Sequence, residues 1–503
     1  MSGEGSDSKD GDSKNGDSKD GRSKDGGSKD GAENALDGWQ IVIGLEVHVE
    51  LGTNTKLFCG CANKFGAEPN TNICPTCLGL PGSLPVINGT AIDYAMKLGR
   101  ALHCTVNPAV FARKNYFYPD MPKDFQTTQY DQPTNAAGYL DPPTGGRVAI
   151  ERAHIEEDTG KSTHIGGGGR ISDAQYTLVD YNRAGVPLVE IVTEPCMHDA
   201  EHAKAYVSEL RDVLLTIGVS DAKMEEGSMR VDANVSIRPD GSDELRTRCE
   251  IKNINSVRSL GRAINYEARR HLNLYNDNDA PFQETRHWDE DAGRTLPGRA
   301  KEDADDYRYF PEPDLVPLAP SADDIAAIDA AMPALPSDRR QALADAAGVD
   351  HAAVALAVER GLDPLALAAI DGGAPADAVL KHVNNNLADG AGKLDAPAFA
   401  KLIAMESGGD LTSNQVKDVL VELVESGGDP ADIAAAKGFE AVDTGELESM
   451  LDAIIADSPD EWARYLDGDK KVQGFFVGQI MKATQGQADG KVVNQLMAAK
   501  AKG

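Results

Sequence analysis

The sequence predicts an α+β protein, a mainly antiparallel-sheet cradle domain followed by two small all-α domains. Three observations predict it. Residues 41–51, IVIGLEVHVEL, put Ile41, Ile43, Leu45, Val47, Val49 and Leu51 on one side and Val42, Gly44, Glu46, His48 and Glu50 on the other, the period of two that a strand half-buried against a core requires. The same alternation recurs in RVAIERAHIEE, PLVEIVTE and MRVDANVSIRP between Gly and Pro turns, which reads as several strands of one sheet. After FPEPDLVPLAP, residues 310–320, the composition switches to Ala, Asp and Leu at helical spacing, and that switch marks a domain boundary.

In chain order, residues 1–36 repeat SKDG or SKNG every five residues with almost nothing apolar to bury, so a disordered tail is expected there. Residues 37–320 form the cradle. Two helices interrupt its strands. In one, Ala203, Tyr206, Val207, Leu210, Val213, Leu214 and Ile217 follow helical spacing up to Gly218; in the other, Leu260, Ile264, Ala268 and Leu272 make the stripe. Both are read as a layer packed on the sheet. The first helical domain is expected over 321–427. A second change near Gly427 opens a domain over 428–503, with one stripe from Val472, Phe475, Phe476 and Ile480 and another from Val492, Val493, Leu496 and Met497.

Composition bounds the rest. A chain of 503 residues is long enough for two to four domains with sizeable cores. No run approaches the length of a membrane span and the N-terminus is polar, so a soluble, cytoplasmic protein is expected. The net charge of −31 argues against a nucleic-acid partner unless Lys and Arg gather locally. Spread along the chain as Asp and Glu, it resembles the solvated surface of a haloarchaeal protein, and in strong salt the global sign is screened within a few Å.

Seven cysteines, an odd number, argue for metal binding or free thiols over a disulfide framework. Cys59-X-Cys61 and Cys74-X-X-Cys77 supply two thiolate pairs, which together satisfy a tetrahedral zinc ion and leave no open position for catalysis. Cys104, Cys196 and Cys249 are isolated and read as small core residues.

The second face of residues 41–51 carries Glu46, His48 and Glu50. A solvated outer face explains such a row; a metal or acid/base wall explains it too, given partners from elsewhere. AHIEEDTGKSTH offers Glu156, Glu157, Asp158 and Lys161, and PLVEIVTE places Glu190 in an otherwise apolar strand, where an unpaired carboxylate is expensive. MRVDANVSIRP adds Arg230, Asp232, Asn234, Ser236 and Arg238. Oxygen and imidazole donors beside Arg and Lys suit magnesium and phosphate, which makes ATP chemistry one reading of the constellation; a charged surface laced with ion pairs is the other. DTGKS is not a P-loop, because the first Gly of that motif would fall at Ile155. HIGGGGR, residues 164–170, reads either as a phosphate cradle or as a hairpin tip.

VIGLEVHVEL, the paired cysteines, HIEEDTGKS, LVDYNRAGVPLVEIVTEP, SMRVDANVSIRP, EIKNINS, YRYFPEPDL and FFVGQIMKATQGQADGKVVNQL stand in one order over nearly everything after residue 37. Together they resemble the B-subunit family of the tRNA-dependent amidotransferases. The resemblance implies a three-subunit enzyme in which an amidase (A) partner frees ammonia from glutamine and a small C subunit braces the complex. This chain would bind misacylated Asp-tRNA(Asn) or Glu-tRNA(Gln), phosphorylate the side-chain carboxylate with ATP and magnesium, and let ammonia displace the phosphate. By motif matching, Glu46, His48, Glu156 and Glu190 would hold magnesium, while Glu157, Asp158, Lys161, Asn182, Arg183 and Asp232 would contact ATP or substrate. The two helical domains would grip tRNA, for which Lys482, Lys491, Lys500 and Lys502 give local positive charge.

Two alternatives stand beside this. A Glu-tRNA(Gln)-specific archaeal paralogue carries a long insert for which HWDE through YRYFPEPDL leaves no room. A non-catalytic zinc-containing tRNA-binding protein would have no need of the carboxylate strands. An archaeal origin tilts the expected substrate to Asp-tRNA(Asn), because there the paralogue supplies Gln-tRNA.

Overall fold

The computed structural model describes residues 36–166, 174–300, 307–439, 444–469, 471–484, 488 and 490–501. The repeat tail, all but its last residue, and the glycines 167–169 with Arg170 lie outside them.

The strands are β1 (Trp39–Glu50), β2 (Thr105–Val106), β3 (Phe111–Asn115), β4 (Phe125–Gln129), β5 (Asn135–Leu140), β6 (Val148–Glu157), β7 (Lys161–Ile165), β8 (Tyr176–Asp180), β9 (Pro187–Thr193), β10 (Met229–Pro239), β11 (Cys249–Ile254), β12 (Glu284–Asp289), β13 (Arg294–Ala300) and β14 (Phe310–Pro311). Nine of them make one sheet in the order β13, β12, β11, β10, β1, β9, β6, β5, β2. Its pairs are antiparallel except β11 beside β12. A small sheet, β14, β3, β4, and a β7–β8 hairpin stand apart from it.

The alternation of β1 decides the layering. Ile43, Leu45, Val47, Val49 and Leu51 are fully or almost fully buried, on one face, with α1 (Gly89–Ala101), α2 (Ala200–Ile217) and α3 (Val257–Asn276) packed on the sheet. Each such aliphatic side chain contributes about 1.5–3 kcal/mol by leaving water. Both sequence-predicted helices have physical stops: Asp199 caps α2 by accepting from the His202 N–H, and Gly218 ends it at φ 69°. Ser256 caps α3 in the same way through Ser259. Where α1 crosses β5, Gly99 lets Asn135 approach closely enough to donate to the carbonyls of Ala95 and Ala153, each at 3.0 Å.

Two further apolar cores follow. One is built by helices from α5 (Pro336–Ala347) to α11 (Pro430–Ala436), and the other by helices from α12 (Thr444–Asp457) to α15 (Gly490–Lys500). Near the boundaries expected at 320 and 427, side-chain packing ties the flanking helices to the preceding core. Ile328 and Met332, in and just after α4 (Ala322–Ala330), join the cradle core, and Arg100 of α1 donates to Asp329 at 2.7 Å. At the second division, Ala434 of α11 is buried in the middle core. The cradle and the middle core meet through Arg340 of α5, which forks onto Glu209 of α2 at 2.5 and 2.9 Å and reaches the Asp141 carbonyl at 3.0 Å.

Candidate active site

The face of the large sheet opposite the apolar core is where the polar residues converge. Strand register builds it in rows. His154 of β6 stands opposite Glu190 of β9, Glu190 opposite His48 of β1, and His48 opposite Arg230 of β10. One row along, Glu46 faces Asp232. Alternation within β6 puts Glu156 on the same face as His154, and alternation within β11 does the same for Glu250 and Lys252.

Two donor clusters result. One oxygen each from Glu156 and Glu190 and a ring nitrogen of His48 lie within 4.8 Å of one another, as do oxygens of Glu46, Asp232 and Glu250. The second cluster already holds a cation: Lys252 Nζ sits 2.6 Å from Asp232 and 3.4 Å from Glu250, while Asn234 donates to Glu46 at 2.9 Å. The first is less satisfied. Glu190 Oε2 is 3.7 Å from His154 Nε2 and 4.0 Å from His48 Nε2, and both imidazoles keep a buried Nδ1 with no partner among the described residues.

Electrostatics separates the two carboxyls of the first cluster. Burial, and then Glu190 beside it, pushes Glu156 up to about 8. Burial opposes ionisation of Glu190 as well, yet His154, His48, Lys114 and Arg152 hold it down at about 2. Burial pushes His154 down to about 4 and lowers His48. At neutral pH the pair therefore shares one proton beside two neutral imidazoles, and two carboxylates with one imidazole form a donor set suited to a hard divalent cation that replaces that proton.

At the end of the sheet, Asp158 is buried between Arg230 at 2.6 Å and Arg183 at 3.2 Å, with Glu50 nearby pushed up to about 7 by burial and by Asp158. Arg183 also donates to the Thr159 and Gly160 carbonyls, both at 3.0 Å. These paired guanidiniums are fixed forks of the kind that meets phosphate oxygens.

Not every expected residue joins this face. Glu157, adjacent to Glu156 and so pointing the other way, accepts from Lys123 and from the Thr127 N–H at 2.7 Å. It lines a separate cavity of about 250 Å³ with Cys59, Cys77, Arg113, Lys123 and Glu312. Lys161 is exposed on the β7–β8 hairpin. Asn182 is committed elsewhere: it accepts from the Asn72 N–H at 2.8 Å and donates to the Glu68 carbonyl at 2.6 Å, tying the cysteine segment to the loop after β8. His154, Glu250 and Lys252 were not singled out as site residues from sequence, although period two alone puts His154 beside Glu156.

The four sulfurs of Cys59, Cys61, Cys74 and Cys77 lie within 4.8 Å of one another. The Cys77 thiol is drawn down to about 5, mainly by its hydrogen bond with Cys59, helped by the Cys74 N–H and by Lys56. Lys56 is fully buried, donating to the Asn72 carbonyl at 3.1 Å. A tetrathiol closed in this way, with an ammonium nearby, fits a structural zinc ion.

Comparison with known proteins bears on this geometry. Residues 41–326 match the GatB/GatE catalytic domain and residues 376–500 match the GatB domain. The chain belongs to the GatB/GatE family. Among its relatives, a protein of Streptomyces avermitilis, named as the B subunit of an aspartyl/glutamyl-tRNA(Asn/Gln) amidotransferase, is 46% identical over 486 residues, covering 92% of this chain and 96% of the relative. Proteins of the same name from Frankia casuarinae and a Nocardioides species are 47% and 44% identical, each over 92% of this chain, and 96% and 97% of the relative. The catalytic-domain match spans every residue of the polar face and the four cysteines. Its end at 326 falls within α4, in keeping with the packing of that helix on the cradle.

In the GatB domain, Lys482 is exposed, whereas Lys500 is engaged by Asp452 at 2.7 Å and Glu448 at 3.2 Å. The Lys491 side chain and Lys502 lie outside the described residues. No described helix is long and apolar enough to cross a membrane.

Proposed function

We propose that the polar face is the reaction chamber of a glutamine-dependent tRNA amidotransferase, in which the side-chain carboxylate of misacylated Asp-tRNA(Asn), and of Glu-tRNA(Gln) if that end is also accepted, becomes an amide. The observation that carries this is the convergence of His48, Glu156 and Glu190, from three strands, beside the Asp158–Arg183–Arg230 group. Family membership supports it.

The chemistry runs in two balanced steps. The substrate carboxylate attacks the γ-phosphorus of ATP and ADP leaves; ammonia then attacks the acyl phosphate carbon, the C–O bond breaks, and the proton shed by nitrogen ends on the departing phosphate. Bound at His48, Glu156 and Glu190, with Glu46 in the adjacent row, magnesium would neutralise charge between two anions that otherwise repel. Arg183 and Arg230, aligned by Asp158, hold phosphate oxygens. At the flank Lys252 keeps Asp232 and Glu250 in place, and Asn234 holds Glu46. Imidazoles held neutral by burial do not protonate incoming ammonia, so the nucleophile keeps its lone pair. The acyl phosphate would need a site kept from water once the partner subunits and tRNA are in place.

The tetrathiol would hold zinc as a structural clamp. An amidase (A) subunit and a small bracing (C) subunit complete the assembly in this reading, and the helical domains hold the tRNA body. Their place of work is the cytoplasm. The test is amide formation on Asp-tRNA(Asn) and on Glu-tRNA(Gln) by the chain co-purified with both partners, with glutamine, ATP and magnesium in high salt. ATP-dependent product is expected; none from either tRNA, in an assembled complex, overturns the proposal.

A further inference from the structure

Beside the chamber stands an aromatic and cationic strip. Tyr309, which immediately precedes β14, and Tyr130, just after β4, stack face to face with centroids 4.2 Å apart and planes within 5°. Tyr309 is half-buried on the chamber side, where burial and the charges of Glu156 and Glu190 push its hydroxyl up. Tyr130 is 49% exposed. Tyr307 meets Tyr309 edge-on at 6.0 Å, and Lys114 Nζ lies 4.5 Å above the Tyr307 ring. Asn115 pins this segment to β3 by donating to the Tyr307 and Arg308 carbonyls, each at 2.8 Å. Arg308 is exposed, its guanidinium 5.8 Å from the ring of Phe117, itself 64% exposed.

A flat tyrosine stack left half in water at the mouth of a charged chamber calls for a flat partner. The flanking cations Lys114 and Arg308 call for an anionic one. A nucleobase with its phosphates meets both needs, because every base has a face to stack and stacking is tolerant of sequence. In a chain of net charge −31, stacking also supplies affinity that salt does not screen, unlike phosphate contacts.

We propose that the Tyr130–Tyr309 stack, flanked by Lys114 and Arg308, seats the terminal adenine of the aminoacylated tRNA 3′ end and so delivers the esterified carboxylate into the chamber. This rests on the function proposed above. The base lies one ribose beyond the ester that carries the reacting carboxylate, so a platform at the rim sets how far the carboxylate reaches in. ATP carries an adenine too, but the arginines suited to its phosphates, Arg183 and Arg230, gather around Asp158 at the end of the large sheet, whereas the stack adjoins the small sheet.

The test uses the complex co-purified with its two partners. With a misacylated tRNA as substrate, Tyr130→Leu raises KM for the tRNA about tenfold and leaves KM for ATP within about twofold, while Tyr130→Phe, which keeps the ring, returns KM toward the parent. With 2-aminopurine replacing the terminal adenine, parent and Tyr130→Phe quench its fluorescence on binding and Tyr130→Leu does not. A rise in KM for ATP instead, an unchanged KM for tRNA, or a quench that survives Tyr130→Leu overturns the assignment. If the parent complex forms no amide on either tRNA, the function itself has failed; an active parent with an indifferent Tyr130→Leu sinks only the platform.

Discussion

Replacing Arg340 by Met should destabilise the joint between the cradle and the middle core by an amount that depends on pH in a calculable way. The native pair is buried, Arg340 at 3% and Glu209 at 2% exposure, and Arg340 forms three charge-assisted hydrogen bonds, two of them to Glu209. Burial already pushes Glu209 upward against the pull of Arg340. Without the guanidinium, the carboxylate would be left buried and unpaired, at a cost of about 3–5 kcal/mol. It can escape by taking up a proton. From an ordinary carboxylate value near 4.3, that escape costs about 1.4 kcal/mol per pH unit, or about 3–4 kcal/mol at pH 7. The sign follows: the variant's carboxyl has a raised value in the folded state, so its penalty is full at high pH and shrinks as pH falls toward 4.3. Urea unfolding of parent and Arg340→Met at pH 7.5, 6.5 and 5.5 reads this directly. The difference should fall by about 1.4 kcal/mol at each step once the carboxyl protonates, and Glu209→Gln in the Arg340→Met background should remove the pH dependence. A penalty equal at all three pH values would refute the reasoning.

Glu190→Gln should cut ATP-dependent amide formation at least about a hundredfold while circular dichroism and tRNA affinity stay at parent values, since it removes one donor of the three-strand cluster. Metal analysis of the purified chain should find one zinc per chain, and Cys74→Ser should lose it with a lowered unfolding temperature; a parent with no zinc refutes the clamp. Glu267, fully buried, is held at about 2 against burial by His271 and Arg270. Its stabilising share is present above pH about 4.3 and lost as pH falls toward 2, so Glu267→Gln should cost about 3 kcal/mol at neutral pH and flatten the acid limb of stability. An acid limb unchanged in that variant would contradict the network.

How far the sequence discloses this site depends on which regularity carries the information. Period two disclosed β1, β6, β9 and β10 and which of their residues share a face, because one face of each strand is aliphatic and packs into the core while the other carries the polar side chains. It also separates Glu156 from Glu157, but a run of three acids hides that separation until the strand's end is located; the structure shows Glu157 turned into its own cavity. Strand order is what the sequence leaves silent. Glu46 and His48 are two residues apart on one face, yet pairing with β10 and β11 draws Glu46 toward Asp232 and Glu250, while β9 and β6 give His48 to Glu190 and Glu156. The same holds for Asn182, whose amide is consumed by the cysteine segment more than a hundred residues earlier.

The proposed chamber of His48, Glu156 and Glu190 would activate the side-chain carboxylate as an acyl phosphate. The most direct measurement is transfer of oxygen. Asp-tRNA(Asn) labelled with 18O in the side-chain carboxylate is turned over by the assembled complex with ATP and glutamine, and the released phosphate is examined by mass spectrometry. One carboxylate oxygen is expected in phosphate for each amide formed. Amide accompanied by unlabelled phosphate would contradict it.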